Sequence, residues 1–363
     1  MYSFPRRIRA GHAVAGLLFV ALHADAATFT TYVTGDSPLG DTIFRVTLDP
    51  AAAFSASIGV AATDTVRMDG IDFLPGSTSL VAVGAQGPGE ISQFNVATGA
   101  KLGSFIPATG AGTRPSTVLS TPTHVYYIEN QFGFEGPTHR IMRTPIGGPP
   151  GTAEVVFDGA SEGLVNFEGI EIVGGRLYFF ARDPGDPASR ALFSIGLAGG
   201  VWDTAAPVAH LTGLAAAPAG DGPDELDFDP GSGLLFGTNI VTGEIYFWNP
   251  GLSVGGLLIS SAEIGAGAGG LARLGTSMID GIRSSGNGYL VVTGLAGVIA
   301  SIDIAGALAG VDDSDVIVLY DAALGGPSIS FDDLSPLTPT PEPSTFYLGG
   351  LALAGLALIR RRG

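Results

Sequence analysis

An acidic residue recurs at one step of a repeated frame. In "MDGIDFLPGSTSLVAVG" (68–84), "VNFEGIEIVGGRLYFFA" (165–181), "PDELDFDPGSGLLFGTN" (223–239) and "MIDGIRSSGNGYLVVTG" (278–294), the acids Asp69, Glu168, Asp224 and Asp280 each precede an aliphatic by two positions. Asp332 stands likewise in "PSISFDDLSPL" (327–337), and Ser116 takes the place in "PSTVLSTPTHVYYIEN" (115–130). Several carboxylates converging on one axis repel unless a cation or a proton intervenes. An all-oxygen set suits calcium or magnesium, so calcium is the candidate ion for Asp69, Glu168, Asp224, Asp280 and Asp332. The plainer alternative is that these acids bond turn amides or face solvent.

Other arrangements fail on context. Gly159-Ala160-Ser161-Glu162-Gly163 matches a serine nucleophile elbow, but the residues after it read as strands where the elbow needs a helix. Gly265 to Gly270 matches a dinucleotide glycine pattern with no βαβ unit around it. His124, His139 and His210 have no paired spacing, which argues against zinc and for surface or packing roles. "VDDSDVIVLYD" (311–321) offers loose ligands for calcium but reads more readily as a solvated acidic turn.

The elements that must position the acids follow from the same frame. Seven to nine residues after each aliphatic comes a second apolar strand, then a third ("EISQFNV", "HRIMRTPI", "ALFSIGL", "EIYFWNP", "VIASIDI") and a more variable fourth. Alternating apolar residues bounded by Gly, Pro and Asp are strand and turn signals. A four-stranded unit recurring at roughly 40–55 residues is the mark of a β-propeller blade. Five units cover 68 to about 322. The leftover "SISFDDL" supplies a first strand, while "ATFTTYVTGD", "DTIFRVTL" and "ASIGVA" supply a second, third and fourth. The expectation is an all-β, six-bladed propeller over 27–337, closed by pairing its N- and C-terminal strands. A seven-bladed ring, with two blades merged in 164–222, is the alternative.

Residues 27–343 hold 11 basic against 33 acidic residues, a formal charge of −22. That argues against nucleic acid or anionic lipid as partners. Cysteine is absent, so no disulfide framework is expected, and a body of this length can bury a core without one.

The ends speak of destination. Arg6, Arg7 and Arg9, an apolar run from Ala13 to Leu22, and Ala24-Asp25-Ala26 have the layout of a signal peptide over 1–26. At the other end a Pro/Thr linker with Pro341-Glu342-Pro343 (338–345) precedes a hydrophobic helix and Arg360-Arg361-Arg362 (346–363). This tail resembles the PEP-CTERM sorting signal of Gram-negative bacteria that make extracellular polysaccharide. The resemblance implies an exosortase as partner, a transient inner-membrane anchor, then transfer to the surface or release. It covers about 25 residues and says nothing of what the body does.

"MIDGIRSSGNGYLVVTG" and "EIYFWNP" resemble blades of the gluconolactonase and senescence-marker-protein group of calcium-binding six-bladed propellers. The resemblance implies metal-binding roles for Asp280 and Glu168. The asparagines that complete that group's site have no counterpart here. The reading is therefore an exported, non-catalytic binding propeller associated with the surface, extracellular polysaccharide or matrix proteins. A calcium-dependent lactonase or esterase working at the channel is the alternative.

Overall fold

The computed structural model describes residues 28–64, 68–84, 89–106, 113–131, 138–149, 152–198, 201–214, 222–267, 279–310, 315–324 and 329–339. The signal segment 1–26, the motif Pro341-Glu342-Pro343 and Arg360 to Arg362 lie outside them. No helix among the described residues is long and apolar enough to cross a membrane.

Six antiparallel sheets follow one another along the chain. Blade 1 runs from its first strand Met68–Phe73 through Ser79–Gly84 and Glu90–Asn95 to Lys101–Ile106. Blade 2 is Thr113–Ser120, His124–Gln131, His139–Pro145 and Glu154–Asp158. Blade 3 is Val165–Val173, Arg176–Arg182, Ala191–Ala198 and Val201–Thr212. Blade 4 is Pro223–Asp229, Leu234–Asn239, Ile245–Asn249 and Val254–Ile259. Blade 5 is Ile279–Ser284, Tyr289–Gly294, Val298–Asp303 and Val316–Asp321.

Blade 6 joins the two chain ends. Its first strand, Ser330–Leu334, pairs with Phe29–Ser37, which pairs on to Gly40–Leu48 and Ser57–Asp64. The six-bladed ring and its closure are as the sequence predicts. The seven-bladed alternative falls, because 164–222 forms one blade whose fourth strand is twelve residues long.

Each strand alternates faces, so a blade is apolar on both sides and must be packed on both. The core accordingly lies between blades. Six apolar clusters each join two neighbours, as where Ile128, Ile141 and Phe157 of blade 2 meet Phe167, Ile170 and Phe179 of blade 3. A further seal crosses from blade 6 to blade 5. Phe54 N and Ala56 N donate to Val318 O and Leu319 O at 2.8 and 3.1 Å, covering part of the blade 5 outer edge.

Candidate functional site

The five acids sit on the innermost strands, at a backbone irregularity that the sequence frame does not reveal. In every blade the first strand carries one residue more than its partner at this step. Met68 and Ile71 oppose Gly84 and Ala82, for example, and Ile279 and Ile282 oppose Gly294 and Val292. The same slip occurs at Ser116/Val118, Glu168/Ile170, Pro223/Leu226 and Phe331/Leu334. Such a bulge interrupts the ladder and re-aims side chains.

The freed backbone groups are taken by polar residues late in the second strands. Thr34 Oγ1 accepts from Asp333 N (3.2 Å) and donates to Asp69 O of the next blade (2.8 Å). Thr238 Oγ1 accepts from Glu225 N (3.2 Å) and donates to Asp280 O (2.8 Å). Thr293 Oγ1 accepts from Gly281 N (3.1 Å) and donates to Asp332 O. Asn130 grips Phe167, one residue before Glu168, by donating to its carbonyl at 2.7 Å. These clamps stitch first strands together at four of the six blade junctions. Their signal was present as Thr beside Gly in "YVTGD", "LFGTN" and "VVTG".

The acids are thereby brought together. Asp280 is hydrogen-bonded, carboxyl to carboxyl, with Asp224. Burial, then Asp224, Asp333 and Asp332 drive the Asp280 pKa well above the usual carboxylate range. Asp224 is pushed up to about 6, chiefly by burial. Both shifts favour a proton between the two carboxyls. Glu168 lies instead against Ser116 Oγ and Asn130 Nδ2, both at 3.4 Å from its carboxylate. Asp69 enters the field of Asp224 and Asp333.

A second ring lies three residues further along each strand, at Asp72, Glu171, Asp227 and Arg283. Asp72 accepts from Ser120 N, and Asp227 from Ser284 N at 2.6 Å, each on the following blade. Burial raises Asp72 to about 6, Asp227 to about 7 and Glu171 to about 8, with Arg283 opposing each shift. Arg283 NH1 is 3.0 Å from Glu225 Oε2, and Nε is 3.9 Å from Asp227 Oδ1. The guanidinium was overlooked in the sequence, although "DGIRS" sets an arginine in the column that reads Asp72, Glu171 and Asp227 elsewhere.

These residues do not fit calcium as they stand. Asp224 and Asp280 are turned on each other, and the second ring already holds a cation in Arg283. Among the described residues, no three His, Cys, Asp or Glu side chains are grouped so as to hold a metal ion.

The motifs set aside in sequence behave as packing or turn residues. Gly159–Glu162 is a single helical turn, where exposed Ser161 Oγ donates to Asp158 O at 2.8 Å, and it runs into the blade 3 first strand. His139 is buried, with Nδ1 2.8 Å from Asn130 Oδ1. His210 is sandwiched between Tyr178 and Trp248, with ring centroids 5.5 and 4.7 Å away. Its Nε2 is 2.7 Å from Ser194 Oγ. That hydroxyl is buried and also accepts from Arg176 Nε and Nη2 at 3.0 and 2.8 Å.

No family model and no curated protein matches the chain. Among solved structures it is similar to a chain of the nidogen–laminin complex, at 15% identity and a TM-score of 0.57, over 85% of this chain and 97% of that one. Looser likenesses are to regucalcin, a calcium-binding protein from Agrobacterium tumefaciens, and to a gluconolactonase from Xanthomonas campestris. The first has 11% identity and a TM-score of 0.44, over 65% of this chain and 70% of that one. The second has 16% and 0.45, over 69% and 79%. The ring and the nidogen–laminin likeness define the class: a six-bladed β-propeller.

Proposed function

We propose that the body is a non-catalytic binding module, exported by its leader and carried by its tail to the cell surface or extracellular matrix. The observation that carries this reading is the commitment of the channel acids to one another and to the protein. Asp280 is bonded to Asp224, Glu225 to Arg283, Glu168 to Ser116 and Asn130, and Asp72 and Asp227 to backbone amides. A hydrolase needs an acid free to act as base beside an activating group at an open mouth. Binding on a propeller falls instead to the loops between strands, which vary without disturbing the ring.

Co-sedimentation with isolated extracellular polysaccharide and with matrix protein tests the reading, alongside turnover of lactones and esters with and without calcium. Binding without turnover is expected. Calcium-dependent turnover that disappears in Asp280→Asn would establish the hydrolase instead.

A further inference from the structure

Every blade leaves a large apolar side chain in solvent at or beside the connection between its third and fourth strands. These are Leu102 of blade 1, Val155 of blade 2, Val201 of blade 3, Leu252 of blade 4, Leu308 of blade 5 and Phe54 of blade 6. Val201 and Leu252 are the most open, at 71% and 72%. Apolar side chains exposed singly are ordinary on a protein surface. Here they recur at one structural position, and register sets them at the end of the sheets opposite the first-ring acids. In blade 1, for example, Met68 beside Asp69 pairs with Gly84 at one end, and Lys101 beside Leu102 pairs with Phe94 at the other. Val201 pairs with Ala198, and Leu252 lies in the turn joining Asn249 to its partner Val254. On the opposite face, the described residues expose Leu39 of blade 6, Val241 of blade 4 and Leu324 after blade 5.

The way the chain leaves the ring says what this rim meets. Phe29 pairs with Pro339, so the exit lies on the same face as the rim. The seven steps from Pro339 to Phe346, where the apolar run to Ile359 begins, reach at most about 25 Å. The face is also poor in charge. The hairpins between first and second strands of blades 1 to 5 hold no charged residue, nor do the third-to-fourth connections of blades 1 to 4. Asp49 of blade 6 and Asp312, Asp313 and Asp315 of blade 5 are the exceptions. Phe54 is held in a left-handed backbone, with φ of 53°, that bulky residues rarely adopt, while its N donates to Val318 O at 2.8 Å.

We propose that the apolar rim is a membrane-contact surface, on which the ring lies flat against the lipid while the tail anchors it. The proposal rests on the reading of the tail as a transient anchor. Apolar tips contributed by all six blades fit a plane, whereas a globular partner would gather its anchors into one central patch. The tips enter only the interfacial layer, where burying apolar area is favourable without any segment crossing the bilayer. Tethering by the tail supplies the local concentration that such scattered contacts need. The first-ring acids and the loops of the opposite face are then turned away from the membrane.

The chain has no cysteine, so single labels can be placed without background. The test uses the full chain carrying Leu102→Cys, Leu252→Cys or Leu308→Cys, with Leu39→Cys and Val241→Cys as opposite-face controls. Each labelled protein is reconstituted into phosphatidylcholine vesicles, floated, and read with a lipid-borne and a water-borne quencher. The rim labels should be quenched severalfold more by the lipid-borne agent than the controls, and less by the water-borne one. Adding Phe54→Ser, Val155→Ser and Val201→Ser should leave flotation intact through the tail but return the Leu252→Cys label to water. Floating protein whose rim labels are as open to water as the controls overturns the proposal and leaves the tail as an anchor. Protein that does not float overturns both. Rim labels already shielded in lipid-free protein would assign the rim to a second copy or to the chain's own tail, and overturn the proposal as well.

Discussion

Gly169 and Gly163 both adopt a left-handed backbone, with φ of 51° and 67°, yet differ in what surrounds them. A Cβ on Gly169 would stand 2.3 Å from Asp224 O, on the neighbouring first strand, whereas one on Gly163 would meet nothing within 4 Å. Ala at Gly163 should cost about 1 kcal/mol, for backbone strain alone. Ala at Gly169 should cost about 3 kcal/mol or more, because strand separation is added to that strain. Urea unfolding of the two variants separates the terms; equal losses would mean that the close approach is not what requires Gly169. Gly70 and Gly281 are crowded in the same way, against Thr117 and Asp332, so the glycine after the acid in blades 1, 3 and 5 marks where inner strands nearly touch.

Titration belongs to this scale as well. Asp72, Asp224, Asp227 and Glu171 have folded pKa values of about 6, 6, 7 and 8, above their ordinary ones. The folded state therefore binds more protons than the unfolded chain between about pH 4 and 8. Stability should fall as pH rises through that window and level off beyond it. Arg283, Glu225, Asp229 and Asp333 face the same groups, and Arg283 limits the effect. His210 works the other way. Burial and Arg176 hold it down to about 4, so its share is lost as pH drops from its ordinary value through 4. One imidazole opposes four carboxyls. Melting should occur several degrees higher at pH 6 than at pH 9, and a flat or rising profile would refute the shared-proton account.

At the scale of elements, pairing of the chain ends is the step on which the ring depends. Ser330–Leu334 is the inner strand of blade 6, and its Phe331 and Leu334 pack in one cluster with Phe29, Val33 and Val291. Ser335 extends the join: its Oγ accepts from Tyr32 N at 2.9 Å and its carbonyl from Thr31 Oγ1 at 2.7 Å. Truncation before Pro327 removes all of this and exposes the Phe29–Ser37 edge of blade 6 and the core beneath it. Loss of soluble, cooperatively folding protein is expected, and an unchanged melt would show that the ring closes some other way. Ser335→Ala is the milder test, at about 1–2 kcal/mol for the buried amide it leaves unpaired.

This closure was legible in sequence because "SISFDDL" and "TFTTYVTG" each lack the rest of a blade, and alternation is a local property that survives in single strands. The bulges were not legible. An extra residue on one strand is defined only against its partner, so "MDGIDF" reads alike with or without it. The acids were found because they repeat. Arg283 was missed because it occurs once, and a search for repetition passes over the position that breaks it.

For the molecule as a whole, strand direction fixes where the two ends leave. Asp36 pairs with Ser330 near the first-ring acids, while Phe29 pairs with Pro339 at the other end of the same strand. Seven residues of strand separate these pairings, about 23 Å at roughly 3.3 Å per residue. The chain therefore enters and exits the ring side by side, on the face away from Asp332 and its partners. The ring is closed by pairings that end at Pro339, so changes in the tail are expected to leave the fold untouched. This makes sorting separable from folding. Replacing Glu342 in Pro341-Glu342-Pro343, which resembles the motif an exosortase acts on, should leave a full-length protein in the inner membrane with an unchanged melting temperature. Fractionation with intact-mass measurement reads the first outcome and calorimetry the second. Normal release of the variant would remove the tail from the sorting role. Retention with a lowered melting temperature would mean instead that the segment after Pro339 packs on the propeller and that its loss is a folding defect.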